Sequence, residues 1–208
     1  MEKGIIYLIF NWIIEKLKYL NIVHYFKILA VSINGDNRTS TRFAVDIFVI
    51  LKWLFIYLLW ICSIKNEFVN VIVWYLIFTN IYTYFYHHNW SKDLENTVFD
   101  LVRIKRRFLF LILSILFNIF SFAYFFALPF SSHIKWSGEI SLTNSIYLSI
   151  SNTLITSYGQ AVAITETGDR LFIIQTFISF VFLTIILSNS IPQINTDNNN
   201  NNNNNNGL

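Results

Sequence analysis

The chain has 208 residues, of which 54% are hydrophobic, 18% aromatic and only 13% charged. Ordinary soluble domains carry about 25% charged residues, and a chain this short has too much surface for its volume to hide so much apolar area in one core. A net charge of +3 is too small to suggest a nucleic-acid partner, and a single cysteine, Cys62, excludes an intrachain disulfide, a zinc cluster or a CxxC motif.

Lipid is therefore the expected solvent, and the chain divides accordingly. The first apolar run, from Ile5 to Ile14, is interrupted by Glu15, Lys16 and Lys18, and no small-residue cleavage site follows it. Ile5, Leu8, Ile9, Trp12, Ile13, Leu17 and Leu20 fall on one helical face, with Tyr7, Asn11, Glu15, Lys18 and Asn21 opposite. That pattern predicts an amphipathic helix on the inner membrane surface, within an N-terminal segment over 1–43; a fifth span is the alternative, which Glu15 and Lys16 interrupt. Four later segments reach the roughly 20 apolar residues that a span requires: 44–64, 68–86, 108–128 and 171–191. Lys65, Asn66 and Glu67 join the first two, so 44–88 reads as a helical hairpin whose many aromatics face lipid and the interfaces. A basic linker follows over 89–107, and a second membrane unit over 108–192. Pro129 and Pro192 stand where the third and fourth helices must stop. The tail over 193–208 holds an asparagine run and is expected to be disordered.

Charge sets the orientation. Lys3, Lys16, Lys18, Lys27, Arg38 and Arg42 precede the first span, and Lys92, Arg103, Lys105, Arg106 and Arg107 precede the third. If all four helices span, both sets share one side, and only Lys65, Lys135 and Arg170 face the other. Both termini are expected in the cytoplasm, with the protein integral to the plasma membrane. The sequons at Asn37 and Asn89 then lie on the cytoplasmic side, where they carry no glycan. The run "RIKRR" can also meet anionic headgroups. His87 and His88 read as interfacial residues. Lys52 lies roughly 12 Å into the first span and either snorkels inward or makes an intramembrane contact that couples to gating.

The connection over 130–170 departs from an ordinary polar loop. "SLTNSIYLSISNTLIT" places Leu142, Ile146, Tyr147, Ile150 and Leu154 at three- and four-residue spacing, a helix of about 14 residues or roughly 20 Å. That is too short to cross. A half-helix followed by irregular backbone is tolerated at membrane depth only when buried in protein or lining water. The expected fold is an all-α membrane protein with four transmembrane helices. A re-entrant pore helix and loop lie between the third and fourth, with Tyr158-Gly159 at the turning point and an extended segment after it.

"IYLSISNTLITSYGQ" resembles the stretch of the potassium-channel pore domain in which a Tyr-Phe-Ser-Leu-type pore helix runs into Thr-Val-Gly-Tyr-Gly-Asp. Tyr147, Ser149 and Ile150 fall in register, as do Tyr158 and Gly159. "TETGDRLF" is similar to the Gly-x-Arg-Leu phrase that opens the family's inner helix. The resemblance covers about 108–191, under half of the chain. It implies a homotetramer in a lipid bilayer, potassium as the permeant ion and no cofactor. The filter would be Ile155, Thr156, Ser157, Tyr158, Gly159 and Gln160.

Three departures from the family pattern bear on selectivity. Ile155 lacks the hydroxyl that adds an innermost ion site in the family. Ser157 stands where a glycine permits positive φ, at a cost of about 1–2 kcal/mol. Gln160 removes a ring of acidic charge, for which Glu139, Glu166 and Asp169 offer a partial substitute. Potassium selectivity is therefore expected to be weakened. On the inner helix, Gln175, Ser179, Phe182, Ile186 and Ser190 share one face and are expected to line the cavity, with Phe182 and Ile186 closing it by dewetting.

The expected function is passive cation conduction. The alternatives are a non-conducting scaffold or sensor that keeps the channel fold, and a membrane-disrupting effector controlled by a partner. The sequence contains no Gly-x-Ser-x-Gly, His-Glu-x-x-His, phosphate loop or pair of carboxylates on a common face, so no enzyme is expected. No voltage-sensing arginine series occurs in the early spans, and no motif names a gating stimulus or a regulatory partner.

Overall fold

A computed structural model describes residues 4–35, 38–86 and 101–190. His87, His88, Asn89, Lys92, Asn37, Pro192 and the asparagine run lie outside the described residues, as does the side chain of Ser190. The helices are α1 (Ile5–Leu17), α2 (Ile22–Asn34), α3 (Arg38–Ile61), α4 (Glu67–Phe85), α5 (Leu101–Ala127), α6 (Leu142–Thr153) and α7 (Glu166–Ser190). Two three-residue strands, β1 (Ile134–Trp136) and β2 (Ala161–Ala163), pair with each other. Four stretches are long and apolar enough to cross a membrane: Thr39–Ile61, Glu67–Phe85, Lys105–Ala127 and Glu166–Ile186. The protein is an integral membrane protein with an outer surface that lipid can cover.

Local chemistry sets where the spans begin and end. The Asn66 side chain accepts from the Phe68 amide at 2.9 Å and caps α4; the link runs over 62–66 rather than 65–67, because α3 already ends at Ile61. α5 stops at Ala127, ahead of Pro129. It starts at Leu101, however, so 101–107 of the expected linker is helical. Basic residues do not break a helix; they only mark where it leaves the apolar layer. Within this first part, Arg106 donates to Asp46 at 2.7 Å and to the Arg42 carbonyl at 3.0 Å, tying α5 to the start of α3.

The N-terminal segment holds two helices: α1 covers most of the stretch expected to be amphipathic, and α2 follows it. Asn21 adopts extended backbone and its side chain accepts from the Val23 amide at 3.0 Å. This cap competes with helix continuation and ends the first helix in a short 3-10 turn, Lys18–Leu20. The break is pinned to α4. Asn21 donates to Thr83 at 2.8 Å, and the Tyr75 and Tyr82 hydroxyls donate to the Leu20 and Ile14 carbonyls. α2 lies against α3, with Phe26 and Phe48 edge to face. In α1, residues on both expected faces are exposed, Ile5 and Leu8 on one and Tyr7 and Glu15 on the other, and Ile14 is its buried residue.

The core centres on the C-terminal half of α5. Phe117, Phe122, Tyr124, Phe125 and Phe126 are fully buried. Trp74 of α4 stacks on Phe125 at 4.8 Å, and Trp53 of α3 meets Phe117 and Phe120 edge to face. Part of the aromatic content expected to face lipid therefore fills the bundle. Lys52 does not snorkel. It is 4% exposed, and its Nζ donates to Asn80 Oδ1 at 2.6 Å and lies 4.6 Å from the Phe117 ring centroid. Asn80 in turn accepts from the Ser114 hydroxyl at 2.8 Å and donates to the Ser114 carbonyl at 3.0 Å. Among the described residues no carboxylate pairs with this amine.

Candidate functional site

The connection between α5 and α7 contains the half-helix that periodicity suggests. The Ser141 hydroxyl accepts from the Asn144 amide at 3.1 Å and caps α6, while Asn144 reaches back to the Glu139 carbonyl at 2.9 Å. α6 packs mainly on α5, where the Ser149 hydroxyl donates to the Ile119 carbonyl at 2.8 Å. Ile119 lies about 12 Å along α5 from its end at Ala127. On the other side, Ser149 meets Gln175, which lies about 14 Å from the start of α7. The end of α6 is thus held well inside the ends of both neighbouring spans.

Beyond Thr153 the chain turns on itself. Leu154 sits near φ −87°, ψ 3°, and Ile155 has φ 58°. The Ile155 amide donates to the Asn152 carbonyl at 3.1 Å, and the Thr156 amide and hydroxyl donate to the Ser151 carbonyl at 2.8 and 3.0 Å. The chain then returns. Ala161 donates to the Tyr158 carbonyl, and β2 pairs antiparallel with β1 in the register Ile134↔Ala163, Trp136↔Ala161. The Ser137 amide extends this ladder to the Gln160 carbonyl at 2.8 Å. The Tyr158 hydroxyl donates to Gln160 Oε1 at 3.1 Å and reaches Asn144 Oδ1 at 3.4 Å, linking the loop to the start of α6.

Between these anchors the backbone carbonyls of Ile155, Thr156, Ser157 and Gly159 accept no hydrogen bond among the described residues. The stretch is exposed at Ile155, Thr156, Ser157 and Gly159 and half-buried at Tyr158. It directly follows the C-terminus of α6, where the helix dipole places partial negative charge and favours a cation.

No protein-family model, curated protein or solved structure matches this chain.

The geometry of the loop and of its neighbours departs from the family pattern at three places. Positive φ falls on Ile155, not Ser157, because the turn that ends α6 comes two residues earlier than the filter pattern implies. Of the acidic residues near the loop, Glu166 is ion-paired with Arg170 in the next turn of α7, which offsets its field, while Glu139 and Asp169 are exposed. The expected inner-helix face packs within the subunit. Gln175 is fully buried against α6 and Phe182 is buried, its ring 6.3 Å from that of Tyr84 on α4. Ile186 is half-buried against the core, and Ser179 is half-buried with its hydroxyl on the Gln175 carbonyl at 2.9 Å. The open face of α7 carries Ile173, Phe177, Phe180 and Leu183. Helical spacing identifies residues that share a face, but the neighbour that covers the face is set by the fold.

Two features escaped the sequence reading. Ser149, Asn152 and Thr153 form a polar patch at helical spacing on α6, and this patch meets Gln175; the spacing was visible in "SISNT" but has meaning only once the partner is known. Gly168 is required by close approach. A Cβ there would lie 2.6 Å from the His133 carbonyl oxygen and 3.1 Å from Ala163 Cβ. Thr165 completes this junction, accepting from the Gly168 amide at 3.2 Å and meeting His133 Nδ1 at 2.9 Å.

Proposed function

We propose that the protein is one subunit of a homotetrameric cation channel of the potassium-channel type, in which the loop from Ile155 to Gln160 forms a backbone-carbonyl ion path. The observation that carries this reading is the set of unpaired carbonyls at Ile155, Thr156, Ser157 and Gly159, which follow the C-terminus of α6, a helix whose Ser149 contacts α5 about 12 Å from the end of that span. Unpaired backbone at membrane depth needs an ion, water or another chain. One loop cannot enclose an ion, so several copies must meet around an axis; the number four comes from the resemblance to the potassium-channel pore domain. The α6 dipole supports cations over anions, and neutral carbonyls replace the hydration shell.

Potassium is the permeant ion, with weakened preference over sodium. Ile155 offers no hydroxyl, and the Thr156 hydroxyl is already bonded to Ser151. Leu154 and Ile155, together with the open α7 face at Ile173, Phe177 and Phe180, supply apolar surface for contact between copies and for a dewetting gate. This replaces Phe182 and Ile186 in that role. The channel lies in the plasma membrane with both termini cytoplasmic. It conducts without catalysis or cofactor.

Proteoliposomes loaded with potassium test the proposal. Purified protein is expected to release potassium, and a variant with prolines at Ser157 and Gly159 is expected to release none while still inserting. Equal release by both proteins would remove the loop from the ion path.

A further inference from the structure

The loop does not hang from α6 alone; α6 is itself gripped by α7 through one fully buried amide. Gln175 Nε2 donates toward the Ser149 carbonyl at 3.0 Å, the Ser149 hydroxyl at 2.6 Å and the Thr153 hydroxyl at 3.1 Å. Gln175 Oε1 accepts from Asn152 Nδ2 at 2.9 Å. Asn152 also donates to the Phe172 carbonyl at 3.0 Å and accepts from the Thr176 hydroxyl at 3.3 Å. Every polar atom of the Gln175 side chain is thus engaged with the last turn and a half of α6. The same turn holds the loop, because Ser151 and Asn152 provide the carbonyls that accept from Thr156 and Ile155.

A buried apolar contact would hold two helices together but would let them slide or rotate. A fully satisfied polar cluster fixes one register, since any shift leaves buried donors and acceptors unpaired. We infer that Gln175 is a positioning residue that sets the height and rotation of the loop carbonyls from Ile155 to Gly159, and so couples movement of α7 to ion selection. The inference rests on the channel reading. It assigns to this face of α7 a role other than lining water.

The test is the reversal potential of the full-length protein in planar bilayers under potassium, sodium and rubidium gradients, because permeability ratios do not depend on how many channels have folded. Gln175→Leu removes the amide and keeps the bulk; Thr153→Val and Asn152→Ala each remove one arm. Gln175→Leu is expected to change at least one permeability ratio by about two- to thirtyfold, with smaller shifts in the same direction from the single-arm variants. Combining Asn152→Ala with Gln175→Leu is expected to add little, as both act on one cluster. Ratios identical to wild type in Gln175→Leu overturn the inference. If Gln175→Leu yields no assembled protein, unchanged ratios in both single-arm variants overturn it equally. A wild-type protein that carries no current defeats the channel reading itself, and the inference with it.

Discussion

Gly168 has no room for a side chain, because the atom that would meet its Cβ belongs to backbone, the His133 carbonyl, and cannot rotate away. Gly168→Ala is expected to lower thermal stability in detergent by about 1–3 kcal/mol through overpacking. Gly159 has open space around it, so Gly159→Ala is expected to leave the stability of the folded subunit unchanged. Equal melting losses in the two variants would contradict the close approach at Gly168. Ile155 is the reverse case, a β-branched residue at φ 58° with its side chain 73% exposed. Left-handed backbone costs such a residue about 1–2 kcal/mol, and glycine gives back about 0.5–1 kcal/mol of that through chain entropy. Ile155→Gly is thus expected to raise the stability of the folded subunit by up to about 1 kcal/mol, whereas Ser157→Gly is not. His24 offers a titration test. Burial lowers its pKa, and the nearby cations Lys18 and Lys27 lower it further. The unfolded chain then binds the proton more readily than the folded one, so its contribution to stability is present above the ordinary value of about 6.5 and is lost as pH falls below it. An NMR titration with the His24 midpoint at or above that value would rule out this environment.

At the scale of elements, the bundle of α3, α4 and α5 is keyed by the Lys52–Asn80–Ser114 cluster. Removing the amide strands a buried amine, and Asn80→Leu is expected to destabilise the protein by about 1–3 kcal/mol. Adding Lys52→Met should restore most of that loss, since an apolar replacement of both partners leaves nothing unpaired. A double-mutant cycle on thermal unfolding measures the coupling; simple additivity would show that the two side chains do not act together. The spans were legible in the sequence because a run of apolar residues long enough to cross has few alternatives. α6 was legible because its period is helical and its Ser141 cap is local. β1 was not, since "IKW" is three residues without pattern and exists only by pairing with a segment beyond α6. Asn21 falls on the polar side of one helix by periodicity, but its side chain competes as an N-cap and starts α2 instead. Gln175 illustrates the same limit: a polar residue in a span suggests water, but here its partners are the polar residues of α6.

For the whole molecule, the proposed topology puts the basic starts of α3 and α5 on the cytoplasmic side. On a Cys62→Ser background, an introduced cysteine at Lys135 should react with an impermeant thiol reagent from outside, and one at Lys105 should react only after permeabilisation. The opposite pattern would invert the topology. A subunit whose loop meets copies of itself should also run as a tetramer by native mass spectrometry in mild detergent. Cation conduction is tested most directly by the reversal potential of the purified wild-type protein in a planar bilayer under opposed potassium chloride and sodium chloride gradients. The channel account requires a current that follows the cation gradients and excludes chloride, with only a modest preference for potassium. A chloride-selective current, or no current from an intact tetramer, would contradict it.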